Sequence, residues 1–168
     1  MSAILMDKFG LLLTVMIAAQ LSGCKTAEST LRIENVRNYD PDAANHILFL
    51  DFKITKRDGK TEHVELVNAV SGSGKLKNLA APVHSPHQIS VIPRYSVGHE
   101  EVPLFFEHPL FKSVEVASQD GKLSKRDLHA KEGILSVRMQ RKNGLEKIEL
   151  HSLTPDRGDI KIYTLNLK

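Results

Sequence analysis

Alternation of apolar and polar side chains dominates the chain from about residue 30 onward and predicts β-strands. In the strongest run, residues 46–56, four apolar side chains share one face: Leu48, Leu50, Phe52 and Ile54. Because the opposite face of this run is also apolar at its beginning, we expect it to form a central strand. Asp58-Gly59 follows and predicts a hairpin turn, since such turns need positive φ angles. The returning strand is expected at residues 61–70.

The rest of the chain repeats this pattern in short runs separated by turn residues. Further strands are predicted at residues 89–92, 101–106, 134–140, 145–153 and 160–167, and another opens at Val114 and Val116 and ends at Asp120-Gly121. Asn143-Gly144 predicts that the strands before and after it pair as a hairpin. Residues 123–131 fit either a strand or one or two turns of helix.

Glycine, serine and proline interrupt the alternation at defined places. Residues 71–88 are rich in all three and predict a long loop. Pro93 and Pro103 predict edge or bulge positions, because proline cannot donate a hydrogen bond to a neighbouring strand. Seven to nine short strands at this spacing predict an all-β fold, an antiparallel β-sandwich of immunoglobulin-like or transthyretin-like type. We expect a single domain over residues 30–168.

The beginning of the chain has a different pattern. Residues 9–21 are mostly apolar and follow Lys8, and their number matches the apolar part of an export signal. A membrane-spanning helix needs about 20 apolar residues. Leu21-Ser22-Gly23-Cys24 comes directly afterwards and resembles the lipobox of bacterial lipoproteins. The resemblance implies that residues 1–23 are a signal peptide, that cleavage occurs between Gly23 and Cys24, and that Cys24 is acylated.

Acylation of Cys24 implies that membrane lipid is one partner of the protein. Two or three acyl chains hold a protein firmly on a membrane, whereas one chain binds reversibly. Residues 24–29 are then a short tether. An Asp directly after the acylated cysteine resembles an inner-membrane retention signal. This chain has Lys25 at that position, so we expect the protein in the outer membrane, in either of its two leaflets. Translation starting at Met1 and translation starting at Met6 are both compatible with the pattern.

Composition limits the remaining possibilities. Of the 168 residues, 145 follow the predicted signal, which is enough to bury a core without disulfides. The single cysteine excludes an intrachain disulfide. The 23 Lys and Arg residues are scattered among 20 Asp and Glu residues, so we do not expect nucleic acid as a partner.

Motifs for catalysis are weak. Residues 72–75, Gly-Ser-Gly-Lys, lack the spacing and the hydroxyl of a phosphate-binding loop. No Gly-x-Ser-x-Gly occurs, and Glu100 and Glu101 point to opposite faces if they lie in a strand. We therefore expect neither an enzyme nor a cofactor.

Two small sets of residues are candidates for binding. Four histidines lie near Glu100 and Glu101 and have the chemistry of Zn²⁺ or Cu²⁺ ligands: His84, His87, His99 and His108. The alternative is that they are surface residues without a metal. Three aromatic residues are candidates for contact with a partner: Phe105, Phe106 and Phe111. The alternative is that they pack in the core. Phe105 and Phe106 face opposite ways in a strand, so one of them is expected to be exposed.

These features together predict a lipid-anchored cell-envelope protein that acts by binding, as an assembly or accessory component of an envelope complex. The expected partner is another envelope protein. In its architecture the predicted domain is similar to an accessory lipoprotein of type VI secretion machines. The alternative is a ligand- or metal-binding envelope lipoprotein that uses the histidine-containing residues 84–108.

Overall fold

The computed structural model describes residues 26–57, 61–77, 83–96, 98–117 and 121–168. Within these ranges the chain forms ten strands, one short 3₁₀ helix at Ile33–Asn35 and no α-helix. The strands are β1 (Ala27–Leu31), β2 (His46–Arg57), β3 (Thr61–Ser73), β4 (Gln88–Tyr95), β5 (Leu104–Glu107), β6 (Phe111–Ala117), β7 (Leu123–His129), β8 (Glu132–Arg141), β9 (Leu145–Thr154) and β10 (Gly158–Leu167). The all-β prediction is confirmed, with ten strands rather than seven to nine.

Two sheets enclose one hydrophobic core. The larger sheet has the strand order β1-β10-β9-β4-β5, and the smaller sheet has the order β3-β2-β8. Both sheets contribute fully buried side chains, among them Leu50 and Phe52 from β2 and Ile148 and Leu150 from β9. The rings of Phe52 and Tyr163 meet edge to face across the two sheets, with centroids 5.8 Å apart. Strands β6 and β7 pair separately as a two-stranded ribbon.

The prediction of a central strand at residues 46–56 is confirmed. β2 lies between β3 and β8, and its inward-facing residues alternate with more exposed ones. Arg57 lies opposite Thr61, so β2 and β3 form the expected hairpin, while Asp58-Gly59 lies outside the described residues. Val67 has no partner in β2 and is half exposed, so it forms a β-bulge. The bulge shifts by one position which residues of β3 face the core.

The predicted hairpin through Asn143-Gly144 is wrong. β8 pairs with β2 in the smaller sheet, whereas β9 pairs with β4 and β10 in the larger one. The Lys142 carbonyl accepts a hydrogen bond from the Leu145 amide, so a tight turn exists, but it connects the two layers. Only Gly144 has a positive φ there, at 75°, and a two-residue type I′ hairpin turn needs two such residues.

Other boundaries differ from the predictions by a few residues. β1 begins at Ala27, within the expected tether, and it runs parallel to β10 in an otherwise antiparallel sandwich. β3 continues to Ser73, so the predicted loop at residues 71–88 begins three residues later. Residues 123–129 of the ambiguous segment form a strand.

Both prolines occupy positions compatible with their missing amide hydrogen. Pro93 lies in β4 opposite Ile148 of β9, and the pairing of β4 with β5 ends at Val91. At Pro93, β4 therefore pairs with a neighbouring strand on one side only, and a bulge follows directly. This agrees with the predicted edge or bulge position. Pro103 directly precedes β5.

The predicted signal peptide and lipobox, including Gly23 and Cys24, lie outside the described residues. In the part of the chain that is described, no helix is long and apolar enough to span a membrane.

Candidate functional site

An apolar cleft of about 580 Å³ lies between the end of β8 and the segment that leads into β5. β8 and β5 are edge strands of the two sheets, so the sandwich is open here. Six lining residues are apolar or aromatic: Leu76, Pro93, Tyr95, Val102, Leu104 and Met139. Met139 is only 3% exposed, so the cleft reaches the hydrophobic core. Its volume lies in the range of about 300–1,000 Å³ that is typical of small-molecule sites.

Four cationic residues line the same cleft, together with a single carboxylate. Lys75, Lys77, Arg138 and Lys142 are exposed, and Glu100 is the only acidic residue among the lining residues that the structure describes. None of the four cations forms an ion pair with another described residue. Without these five residues, the sequence contains 19 basic and 19 acidic residues. The charged residues that line the cleft therefore carry a formal net charge of +3.

The cations on the outer face of the larger sheet are arranged differently. There, Glu149 is surrounded by Arg94 Nε at 2.8 Å, Lys147 Nζ at 3.4 Å and Lys161 Nζ at 3.5 Å. Burial disfavours ionisation of Glu149, but the hydrogen bond and charge of Arg94 outweigh it, with support from both lysines, and the pKa falls to about 2. The cations of this face are thus matched by a carboxylate, whereas those of the cleft are not.

Hydrogen bonds hold one wall of the cleft in place. Gln140 Nε2 donates to the carbonyl oxygens of His46, at 2.7 Å, and Gly74, at 3.2 Å. Gln140 Oε1 accepts from the Leu76 amide at 2.9 Å. The Gly74 amide donates to the Asn45 carbonyl at 2.9 Å. The segment after β3 is therefore fixed against both β8 and the residues before β2.

The opposite wall is also fixed by contacts within the protein. The Ser96 amide donates to the Gly144 carbonyl at 2.8 Å, which ties the end of β4 to the turn after β8. Arg94 forms ion pairs with both Glu149 and Glu101, so the segment at residues 100–102 is attached to the larger sheet. The cleft is thus largely preformed, as expected of a binding site.

A second polar cluster lies inside the protein, away from the residues that line the cleft. His108 is completely buried and its Nδ1 accepts a hydrogen bond from the Leu110 amide at 3.2 Å. Its Nε2 therefore carries the hydrogen and donates to Glu62 at 3.3 Å. Glu62 also pairs with Arg157. With both ring nitrogens occupied, His108 has no lone pair for a metal ion or for a substrate proton.

Glu62 is ionised in this cluster in spite of its burial. Removal from water raises the pKa of Glu62, but hydrogen bonds from His108 and Arg157 outweigh that effect and lower the pKa to about 2. His108 comes from the segment between β5 and β6, Glu62 from β3 and Arg157 from the turn between β9 and β10. The cluster therefore connects both sheets and stabilises the fold.

The four histidines predicted as metal ligands do not form a metal site. His87 stacks on Phe111, with ring centroids 4.3 Å apart, and His99 contacts the ring of Tyr95. His84 is exposed, and both nitrogens of His108 are engaged as described above. Among the residues that the structure describes, no three His, Cys, Asp or Glu side chains are grouped so that they could hold a metal ion.

The three aromatic residues proposed for partner contact have different environments. Phe105 on β5 is 40% exposed, whereas Phe106 faces inward and packs against the core. The expectation that one of these two neighbours is exposed is confirmed. Phe111 is partly buried at the base of the ribbon, where it contacts the rings of His87 and His108. Only Phe105 of the three is therefore well placed for contact with a partner.

Sequence reasoning did not identify the cleft. Its lining residues come from five separate segments between Asn45 and Lys142, and their proximity depends on the packing of two sheets. The alternation Lys75-Leu76-Lys77 is the one local signal, because an extended segment of this kind turns Leu76 inward and both lysines outward. Comparison of the chain with protein-family models, curated protein sequences and solved structures gave no match.

Proposed function

We propose that this protein is a lipid-anchored component of the bacterial cell envelope that acts by binding. The anchor is Cys24, on the strength of the lipobox-like residues 21–24. The binding surface is the cleft together with the neighbouring β5 edge at Phe105. The observation that carries the binding role is an apolar lining in a preformed cleft together with four cations that form no ion pair with any residue the structure describes.

A role as an assembly or accessory component follows from the position of this surface. Val102 and Phe105 are 51% and 40% exposed, beside the cleft and at the edge of the larger sheet. Exposed apolar side chains next to a groove are typical of contact sites for partners. A short connection from residue 24 to β1 keeps the domain close to the membrane, so the partner belongs to the envelope and resides in or near the outer membrane.

Anchoring is tested by changing Cys24→Ala. Metabolic labelling with a radioactive fatty acid should mark the wild-type chain and the Lys25→Ala control, in which the cysteine remains. The Cys24→Ala chain should be unlabelled and should leave the membrane fraction or persist as a precursor. Equal labelling of all three chains contradicts the proposal.

The binding surface is tested by filling the cleft. Val102→Trp places a large side chain at the cleft in a half-exposed position, so the fold should survive. We expect this variant to be lipidated and folded, but unable to complement a strain that lacks the gene. Leu123→Trp is the matched control, because Leu123 is 69% exposed on the ribbon. Full complementation by Val102→Trp would move the binding surface elsewhere.

A further inference from the structure

The cleft combines a volume and a lining that suit a small molecule with one apolar part. Leu76, Tyr95, Leu104 and Met139 form an apolar surface that continues into the core. A protein partner typically covers about 800 Å² of a broad surface, whereas a concave site of about 580 Å³ has the size of a small-ligand pocket. A small molecule with a single apolar chain fits this volume and lining.

The charges determine which end of such a chain faces water. Lys75 and Lys77 are exposed while Leu76 between them is half-buried, so the ammonium groups stand at the mouth and the leucine lines the interior. Arg138 and Lys142 add two exposed cations to the lining. Among the lining residues that the structure describes, Glu100 is the single opposing charge, and their formal excess is therefore +3. An anionic head group at the mouth complements this arrangement.

We propose that the cleft binds a long-chain fatty acid, with the carboxylate among the cations at the mouth and the acyl chain against the apolar lining. A fatty acid has one chain and a compact anionic head group, which suit the volume and the charge of this cleft. The two fixed walls mean that little ordering opposes binding. This proposal rests on the proposed binding role of the cleft and is independent of acylation at Cys24.

The test uses the full-length chain in isolated membranes and a long-chain fatty acid that carries a diazirine at its methyl end. After irradiation, mass spectrometry locates the attached label. We expect saturable labelling on the peptides that contain Leu104 and Met139, and competition by the unlabelled fatty acid. Labelling that does not saturate, or that lies outside the cleft, overturns the proposal. Label attached at Cys24 is distinguished from label in the cleft by its position in the sequence.

Charge variants test the role of the cations. Reversing two of them, in Lys75→Glu with Lys142→Glu, should weaken labelling about tenfold. The matched control changes two exposed lysines elsewhere, Lys112→Glu with Lys131→Glu, and carries the same net charge. It should bind as the wild type does. Circular dichroism verifies that both variants are folded, and Val102→Trp provides a second way to block the cleft without a change of charge.

Two further probes separate the fatty acid from other ligands. A fatty alcohol of the same length should label weakly, since it lacks the carboxylate, and equal labelling by acid and alcohol contradicts the proposal. An acidic peptide that cross-links to the cleft when the fatty acid does not would assign the site to a protein partner. If Val102→Trp abolishes complementation although the fatty acid never labels the cleft, the proposed function stands and the fatty-acid proposal fails.

Discussion

The buried carboxylate of Glu62 permits a quantitative prediction of stability. Its side chain is 2% exposed and accepts hydrogen bonds from His108 and Arg157. Glu62→Gln keeps the size of the side chain but removes the charge and one acceptor oxygen, because His108 donates to Oε2 of Glu62 and Arg157 to Oε1. The substitution therefore tests the buried charge together with one of the hydrogen bonds that it accepts.

The magnitude follows from the pKa of Glu62, which falls from an ordinary value of 4.5 to about 2. At about 1.36 kcal/mol for each pKa unit, ionised Glu62 contributes on the order of 3 kcal/mol to the free energy of unfolding. This agrees with the range of about 3–5 kcal/mol for breaking a buried ion pair. We therefore expect Glu62→Gln to lose about 3 kcal/mol at pH 7.

The lowered pKa of Glu62 also predicts how the free energy of unfolding changes with pH. Because the pKa of Glu62 is lower in the folded state, its contribution is complete above about pH 4.5 and is lost as the pH falls toward 2. The wild-type and Glu62→Gln chains should therefore differ most at neutral pH and converge near pH 2. The assay is urea denaturation followed by circular dichroism, from pH 7 to pH 2, on residues 25–168. This segment contains the whole described core, Ile33–Leu165.

Glu132→Gln is the matched control, because the pair of Lys53 and Glu132 has a similar ionic contact at 2.8 Å but is 38% and 64% exposed. It should change stability far less than Glu62→Gln, since water screens both groups. Two results would refute the reasoning. One is a loss below about 1 kcal/mol for Glu62→Gln, which is the range of an exposed pair. The other is a difference between wild type and variant that stays constant from pH 7 to pH 2.

Three further substitutions test the packing and the cleft wall. Phe52→Ala should lose about 3–5 kcal/mol in urea denaturation, because a fully buried ring leaves a cavity, and a loss under about 1 kcal/mol would contradict its place in the core. Gly133→Ala should lose about 1–3 kcal/mol, since the new Cβ would lie 2.8 Å from the Pro109 carbonyl oxygen, and an unchanged melting temperature would be the contrary result. Gln140→Leu should accelerate hydrogen exchange at the Leu76 amide and lose about 1–3 kcal/mol, as three hydrogen bonds disappear; exchange at the wild-type rate would show that the wall has other support.

Much of the strand content was predictable because it depends on local alternation. The run from Leu48 to Ile54 identified β2, and its apolar beginning indicated that it was central. The antiparallel hairpin of β2 and β3 was predicted as well. These predictions succeeded since side chains two residues apart share a face in any strand, whatever its neighbours.

The pairing of β8 and β9 shows where local reasoning fails. Asn143-Gly144 lies between alternating runs, but the two strands enter different sheets. Each strand pairs with the neighbour that lets its apolar face join the core, and that neighbour can be distant in sequence: β2 for β8, and β4 and β10 for β9. A turn sequence favours reversal of the chain. It does not determine whether the next strand pairs with the previous one or enters the other sheet.

The sequence by itself determined that the chain is all-β, which residues of β2 face the core, and where an export and lipidation signal is expected. Only the tertiary structure decided which strands pair beyond the hairpin of β2 and β3, that His108 is an interior partner of Glu62, and that Lys75, Arg138 and Lys142 line one cleft. The physical reason is the range of the interactions. Alternation is read from residues two apart. Packing of the two sheets, by contrast, brings Glu62 within hydrogen-bond distance of His108, 46 positions away, and places Lys75 and Lys142, 67 positions apart, in the lining of one cleft.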